Sequence, residues 1–256
     1  ILCMGIDPVL EKIPEGNIVK FYSDILDAME GEDVSIPTVK PNIAFFEQYG
    51  FEGLKALKEI IKKYKEKEIS IILDAKRGDI GKTAEAYAES VFGFWQADAV
   101  TLHPYLGNDS ITPFLEKGGA YVQVRNSNPS AKDMQDLKVN GNPLFKEVAN
   151  MVAGKWYKPG IGAVVGATYP KELEELSTQF VSSGKQIPML IPGVGSQGGS
   201  AEEVMTILKK TNNPLWLHRV NSSSGISYAY LKQDTDDYAG SAVKEIKRLN
   251  RVLRLK

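Results

Sequence analysis

The most informative stretch of the chain reads Asp74-Ala75-Lys76-Arg77-Gly78-Asp79-Ile80, directly after an apolar run at residues 69–73. Side chains two residues apart in a strand project from the same face, so Asp74 and Lys76 point together beyond the strand end, and Asp79 follows in the turn. Charges at the end of a buried strand are costly unless they are paired or serve chemistry. The stretch therefore predicts a strand that brings an acid, a base and a second acid to one site.

Two other apolar runs end on charged residues. Asp7 follows the run at residues 2–6, and Lys40 ends the run at residues 36–40. Parallel barrels carry their functional side chains at the carboxyl ends of the strands, so three charged strand ends indicate the active-site rim of a barrel. A simple ion pair at residues 74–76 is the structural alternative, but it leaves the other two charged ends unexplained.

Short apolar runs alternate with amphipathic stretches along the whole chain. We predict strands at residues 2–6, 36–40, 69–74, 99–102, 121–124, 162–165, 189–191 and 215–220. We predict helices at residues 18–29, 53–65, 82–95, 143–155, 171–182 and 201–210. Eight strands alternating with helices in 256 residues are typical of an α/β fold, a single (β/α)8 TIM barrel.

We expect residues 1–256 to form one catalytic barrel domain, because no repeat or long linker divides them. The chain starts at Ile1 in mid-strand without methionine, so we also expect a native segment before it to be missing. Residues 126–142 follow the fifth strand and lack clear periodicity. Loops of this length in compact domains are often lids over a site.

The composition limits the possible partners and compartments. There are 31 basic and 32 acidic residues, so no global field attracts nucleic acid or an anionic membrane. No apolar run approaches the roughly 20 residues of a membrane span. The single cysteine, Cys3, excludes an internal disulfide and a cysteine-built metal site, and it fits a reducing cytoplasm. We therefore expect a cytoplasmic protein with neither nucleic-acid nor membrane partners.

Two loops suggest a phosphate site. Residues 192–200 are rich in glycine and run directly into the helix predicted from residue 201, and residues 221–226 form a polar loop after the eighth strand. Glycines let backbone N–H groups converge, and a helix N-terminus favours an anion. A simple strand-to-helix turn is the alternative for the first loop. Barrels often bind phosphate at the loops after strands seven and eight, so a phosphorylated small molecule is the favoured ligand.

With these motifs, the chain resembles the orotidine 5'-monophosphate decarboxylases over nearly its whole length. The pattern Asp-x-Lys-x-x-Asp at Asp74, Lys76 and Asp79, continued by Ile80 and Thr83, is the most specific signature of that family. The similarity extends to two further stretches, residues 40–47 and 192–197. The resemblance implies conversion of orotidine 5'-monophosphate to uridine 5'-monophosphate in pyrimidine biosynthesis, without a metal or other cofactor.

The resemblance also implies roles for individual residues. Lys40, Asp74, Lys76 and Asp79 would form the charged catalytic network, in which the Lys76 ammonium stabilises negative charge at C6 and delivers the proton. The enzyme would be a homodimer in which each chain contributes Asp79 and Thr83 to the neighbouring site. The substrate-binding residues implied are Asp7, which would hold the ribose or support the charged network, Ser127 at the pyrimidine and lid, Ile80 and Thr83, and Gly193, Gly195 and Gln197 at the phosphate.

Two positions depart from the family pattern. Ser224 stands where the family usually has an arginine that binds the phosphate, and a hydroxyl cannot replace two charge-assisted hydrogen bonds. We expect Arg219, near the end of the eighth strand, or another nearby cation to substitute. His103 stands where the family commonly has asparagine, and we expect it to have a structural role.

Two other functions remain open at this stage. A magnesium-dependent sugar-phosphate decarboxylase or aldolase of the same superfamily would use the acidic residues to hold a metal. A nucleotide-binding homologue that has lost catalysis is suggested only by Ser224. The longer motif matches favour the pyrimidine enzyme over the first, and the intact charges at positions 40, 74, 76 and 79 favour it over the second.

Overall fold

The computed structural model describes residues 1–195 and 198–254, and eight parallel strands in this part of the chain close into a barrel. The ten strands of the described residues are β1 (Leu2–Ile6), β2 (Thr38–Pro41), β3 (Ser70–Arg77), β4 (Ala99–Leu102), β5 (Gly119–Arg125), β6 (Lys138–Val139), β7 (Asn142–Pro143), β8 (Ile161–Val165), β9 (Met189–Ile191) and β10 (Arg219–Ser222). The barrel order is β1-β2-β3-β4-β5-β8-β9-β10, and β10 pairs with β1. The predicted TIM barrel is confirmed.

Helices lie between successive barrel strands. They are α1 (Ile18–Gly31), α2 (Ala44–Glu47), α3 (Gly50–Glu66), α4 (Gly81–Glu89), α5 (Thr112–Leu115), α6 (Lys132–Gln135), α7 (Leu144–Ala153), α8 (Pro170–Ser182), α9 (Ala201–Lys210), α10 (Ser224–Ser227), α11 (Ala229–Gln233) and α12 (Tyr238–Val252). Short 3-10 segments are Leu10–Lys12, Pro14–Gly16, Asn108–Ser110, Pro129–Ala131 and Leu215–Leu217, and Ser90–Phe94 is a π-helix. None of the helices in the described residues is long and apolar enough to cross a membrane.

The sequence patterns explain the two layers of the fold. In α3, Leu57, Ile60, Ile61 and Tyr64 recur at three- and four-residue spacing, and all four are buried against the barrel. The strands are apolar on both faces because one face meets the helices and the other fills the barrel. A separate cluster inside the barrel consists of Cys3, Ile72, Ala99, Tyr121, Val164 and Leu190.

Three strand predictions match the observed bounds, those of β1, β4 and β9. The eighth predicted strand, at residues 215–220, was placed too early. Leu215–Leu217 is a 3-10 turn after Pro214, and the strand begins at Arg219. Residues 126–142 also contain more structure than expected, namely a 3-10 turn, α6 and the antiparallel pair β6–β7.

A buried chain of hydrogen bonds joins helices to the amino-terminal end of the barrel. The Met189 N–H donates to His218 Nδ1 (3.0 Å), so the imidazole proton lies on Nε2, which donates to Asn213 Oδ1 (2.9 Å). Asn213 Nδ2 in turn donates to Ser177 Oγ on α8 (3.0 Å). A charged imidazole would place a second proton against the Met189 N–H. Burial, with a smaller contribution from Arg219, lowers the pKa of His218 to about 4.

We predict that His218 makes folding stability depend on pH. Its pKa is about 4 when folded, against 6.5 for an ordinary histidine. Because the folded value is the lower one, the stabilisation is complete above pH 6.5 and declines as the pH falls toward 4. The loss approaches about 3 kcal/mol. Urea unfolding at fixed protein concentration should show a weaker dependence on pH in His218→Gln. The control His103→Asn should keep most of the wild-type fall, because burial lowers the pKa of His103 as well but it is only partly buried. A fall in His218→Gln as large as in the wild type would contradict the assignment.

Candidate active site

The carboxyl ends of β2, β3 and β4 bring three side chains together around the buried carboxylate of Asp74. Lys40 Nζ donates to Asp74 Oδ2 (2.8 Å), and Lys76 Nζ donates to Asp74 Oδ1 (2.6 Å). The Thr101 hydroxyl on β4 donates to the same Oδ1 (2.8 Å). Asp74 is thus shared by two cations and one hydroxyl, and both of its oxygens are occupied.

The electrostatics of this cluster favour the charged forms of Asp74 and Lys40. Burial opposes ionisation of Asp74, but the adjacent Lys40 and Lys76 outweigh it and hold the pKa of the carboxyl well below its usual range. Burial likewise disfavours charge on Lys40, but Asp74 and Asp7 raise the pKa of that ammonium above its usual range. The pair therefore stays charged at neutral pH, and Lys76 adds an ammonium that is 41% exposed.

An irregularity in β3 aims Lys76 into the site. The pairing of β3 with β4 shifts register between Leu73 and Arg77, and Lys76 has a φ of +43°, which is uncommon for a residue other than glycine. Its N–H donates to Thr101 Oγ1 (3.0 Å). The same threonine thus holds both the backbone of Lys76 and the carboxylate that Lys76 contacts. Strained backbone conformations of this kind persist where the surrounding structure holds them, and they often occur at functional sites.

The charged cluster lines a cavity of about 430 Å³ at the carboxyl ends of the strands. Four buried side-chain atoms of its lining have no hydrogen-bond partner among the described residues: Asp7 Oδ1, Gln123 Nε2, Asn126 Oδ1 and Asn221 Oδ1. Unpaired buried polar atoms are costly, and a native structure keeps few of them. Their convergence on one cavity indicates a polar ligand with both donors and acceptors.

Residues 126–142 are held over the cavity by a buried arginine. Arg125, 2% exposed, contacts Asp136 of this segment (2.8 Å) and Glu172 of α8 (3.3 Å), and its guanidinium lies 4.3 Å from the ring centroid of Tyr169. The Asn126 N–H donates to the Gln135 side chain (3.0 Å). Gln135 and Asp136, which follow the turn at Pro129–Ala131, therefore connect the segment back to the end of β5.

Comparison with known proteins agrees with this geometry. A family model described as "Orotidine 5'-phosphate decarboxylase / HUMPS family" matches residues 2–212. A protein of Herpetosiphon aurantiacus named orotidine 5'-phosphate decarboxylase is 43% identical over 214 residues, which cover 80% of this chain and 77% of the relative. This chain belongs to the orotidine 5'-phosphate decarboxylase / HUMPS family.

Solved structures of similar proteins share the fold. The structure of Leishmania donovani OMP decarboxylase superposes with a TM-score of 0.78 at 30% identity, covering 98% of this chain and 93% of that one. The UMP synthase of the same organism gives a TM-score of 0.80 at 32% identity and covers 98% of this chain. The present chain spans 53% of that UMP synthase, about half its length. The expected family is confirmed.

The structure brings together about half of the site residues that the sequence suggested. Those lining the cavity are Asp7, Lys40, Asp74, Lys76, Ser127, Gly193 and Ser224. Asp79, Ile80 and Thr83 lie outside the described lining, in the loop after β3 and the first turn of α4. Gly195 lies beside Ser222 in the loop after β9, and Gln197 lies outside the described residues.

The expectation that Arg219 replaces the phosphate-binding arginine of the family is wrong. Arg219 is the first residue of β10, because the strand starts later than predicted, and it therefore lies at the amino-terminal end of the barrel. Its Nε donates to Thr38 Oγ1 at the start of β2 (2.9 Å). The cavity opens at the opposite ends of these strands, so Arg219 is a structural residue of the barrel floor.

Several polar residues of the site carried no individual prediction. Thr101, Gln123 and Asn221 each interrupt an apolar strand and point into the cavity, whereas Lys12 ends a 3-10 turn after β1 and Asn126 directly follows β5. A polar residue in an otherwise apolar barrel strand was the available signal. The backbone N–H of His103, a residue that departs from the family pattern, donates to the Arg77 carbonyl at the end of β3 (2.8 Å).

We predict that the Thr101 hydroxyl stabilises the charged cluster. Thr101→Val would remove a donor to Asp74 and leave the Lys76 N–H without its acceptor. The free energy of unfolding should fall by about 1 to 3 kcal/mol, measured by urea denaturation at neutral pH. Thr101→Ser keeps the hydroxyl and should lose clearly less. No loss in Thr101→Val would contradict the role of the hydroxyl, and a larger loss in Thr101→Ser than in Thr101→Val would mean that the methyl group carries most of the effect.

Proposed function

We propose that this chain decarboxylates orotidine 5'-monophosphate to uridine 5'-monophosphate in pyrimidine biosynthesis, without a metal ion or other cofactor. The observation that carries the proposal is the pair of ammonium groups held on the buried Asp74 at one side of the polar cavity. Family membership supplies the reaction class. A site built from fixed charges suits a reaction in which an electron pair develops where no ring π-system can delocalise it.

In the proposed mechanism, the Lys76 ammonium acts at C6 of the pyrimidine. The bond between C6 and the carboxylate breaks, carbon dioxide leaves, and the electron pair remains on C6. The ammonium stabilises this charge and then donates a proton to C6, and the resulting amine regains a proton from solvent. Asp74 and Lys40 keep Lys76 oriented through the whole cycle. No electron sink is required, because the fixed positive charge of Lys76 stabilises the electron pair on C6.

The donor set fits this role better than a magnesium site. Both oxygens of Asp74 accept hydrogen bonds from ammonium or hydroxyl groups. Magnesium would have to displace those donors to bind the carboxylate. Within the described part of the chain, no group of three or more histidine, cysteine, aspartate and glutamate side chains could hold a metal ion. The arrangement supports the decarboxylase over the magnesium-dependent alternative.

The rest of the cavity suits a nucleotide. Asp7, which has an unpaired carboxylate oxygen, would accept hydrogen bonds from the ribose hydroxyls, and Ser127 would contact the pyrimidine. The phosphate would lie at the loop that begins with Gly193, whose φ of +98° turns the backbone after β9. Residues 126–142 would act as the lid, with the Arg125–Asp136 pair holding it closed.

We also propose a homodimer in which Asp79 and Thr83 complete the neighbouring site. Ile80, between Asp79 and Thr83 in the chain, is 54% exposed, and Tyr105, which follows the neighbouring strand β4, is 82% exposed. Exposed large apolar side chains that follow neighbouring strands favour an interface between proteins. The proposal also places the enzyme in the cytoplasm, which agrees with the buried, unpaired Cys3.

The first test follows ultraviolet absorbance as the purified chain converts orotidine 5'-monophosphate to uridine 5'-monophosphate, with and without EDTA. We expect turnover that EDTA does not change, and its loss in Lys76→Ala with binding of uridine 5'-monophosphate partly retained. Lys209→Ala, an exposed lysine on α9, is the matched control. A fully active Lys76→Ala would refute its role. Sensitivity to EDTA would favour the magnesium enzyme, and nucleotide binding without turnover would favour the homologue that has lost catalysis.

The shared site predicts complementation between two inactive variants. Lys76→Ala and Asp79→Ala should each be inactive as pure dimers. After unfolding together and refolding, random pairing should make half the dimers mixed, each with one intact site, so activity should recover to about a quarter of wild type. Each variant refolded alone is the control. Recovery absent from a mixture shown to contain mixed dimers would mean that Asp79 serves its own chain.

A further inference from the structure

Three lysines line the cavity, and two of them, Lys40 and Lys76, form ion pairs with Asp74. The third, Lys12, has no carboxylate within ion-pair distance among the described residues. It ends the 3-10 segment Leu10–Lys12 that follows β1, and it is exposed to solvent. The cavity therefore contains one ammonium whose charge no described side chain neutralises.

Two tyrosines fix where this ammonium lies. Lys12 Nζ is 5.4 Å from the ring centroid of Tyr228, and the Tyr230 hydroxyl donates to the Lys12 carbonyl (2.8 Å). Tyr228 directly follows α10, which begins at Ser224. Its hydroxyl accepts from the Val9 N–H (2.8 Å) and donates to the Asp7 carbonyl (2.9 Å), so the segment after β1 is fastened to the segment after β10. Lys12 is thereby held beside Tyr228, which closely follows Ser223 and Ser224 in the chain, and all four residues line the cavity.

The part of the cavity near Ser223 and Ser224 needs a cation if it is to hold a phosphate dianion. The N-terminus of α9 is already complemented by Glu202 and Glu203 in its first turn, which weakens its attraction for another anion. Ser224 offers a hydroxyl rather than a charge, and Arg219 lies at the other end of the barrel. Glycine N–H groups and hydroxyls alone bind a dianion less well than the same groups with a cation.

We propose that Lys12 binds the phosphate of the nucleotide and supplies the positive charge that is missing at Ser224. This inference rests on the proposed function, because it names a substrate contact of that site. The ammonium moves from above the Tyr228 ring to the phosphate, while the backbone of Lys12 stays fixed by its hydrogen bond from the Tyr230 hydroxyl. The charge thus comes from the segment after β1 rather than from the loop after β10.

The experiment compares binding of uridine 5'-monophosphate with binding of uridine, by calorimetry, to the full chain and to Lys12→Met. We expect the variant to bind the nucleotide about ten- to a hundredfold more weakly and uridine equally well. The kcat/KM for orotidine 5'-monophosphate should fall by a similar factor. Lys209→Met is the matched control, and Lys12→Arg should retain most of the affinity.

A second variant tests whether the charge itself matters. Ser224→Arg restores a cation in the same cavity, so Lys12→Met combined with Ser224→Arg should regain nucleotide affinity. Equal losses for nucleotide and uridine, or no loss for either, would overturn the role of Lys12 while the wild-type turnover upheld the proposed function. A wild-type chain that neither binds uridine 5'-monophosphate nor turns over the substrate would overturn both.

Discussion

The sharing of the Asp74 carboxylate between Lys40 and Lys76 is the constraint on which the active end of this barrel depends. A buried carboxylate or ammonium left unpaired would cost several kcal/mol, so the three charges are tolerable only together and only with good geometry. That geometry requires β2, β3 and β4 side by side, with the register shift in β3 that turns Lys76 inward. It also requires the Thr101 hydroxyl between the Lys76 N–H and the Asp74 carboxylate. The same contacts keep an ammonium, partly open to the cavity, in a fixed position before any ligand arrives. Fixed charge of this kind is what a reaction without an electron sink needs.

The two ends of the barrel divide stability and function between them. At the amino-terminal end, His218, Asn213 and Ser177 satisfy one another in a closed chain of hydrogen bonds, and Arg219 bonds to Thr38. At the carboxyl end, four buried polar atoms of the cavity lining have no partner among the described residues. The hydrogen bonds at the amino-terminal end contribute stability, and this offsets the cost of the unpaired polar atoms at the carboxyl end. This division agrees with the usual placement of active sites in the fold.

Local sequence pattern accounts for much of the fold but for less of the site. Alternation and apolar runs predicted β1, β4 and β9 to the residue, and the two-residue spacing placed Asp74 and Lys76 together. The apolar residues before β10 suggested a strand, but they form a 3-10 turn after Pro214, and the same error misplaced Arg219. The inward turn of Lys76 depends on how β3 pairs with β4, and the position of Lys12 depends on Tyr228, more than 200 residues away along the chain. Such contacts are tertiary, so no local window of sequence contains them.

With Lys12 in its proposed role, phosphate binding and ribose binding would lie on the same segment, the one that follows β1. Asp7 and Lys12 belong to the segment after β1, and the Tyr228 hydroxyl bonds to the backbone at Asp7 and Val9 while its ring lies beneath the Lys12 ammonium. A ribose held at Asp7 and a phosphate held at Lys12 would both load this one segment. The loop after β10 contributes the tyrosine that keeps the segment in place instead of a charge of its own. Remote binding energy is useful for catalysis only when it is transmitted to the reacting end of the substrate. A phosphate contact on the segment that also carries Asp7, one strand away from Lys40, would provide a short path for that transmission.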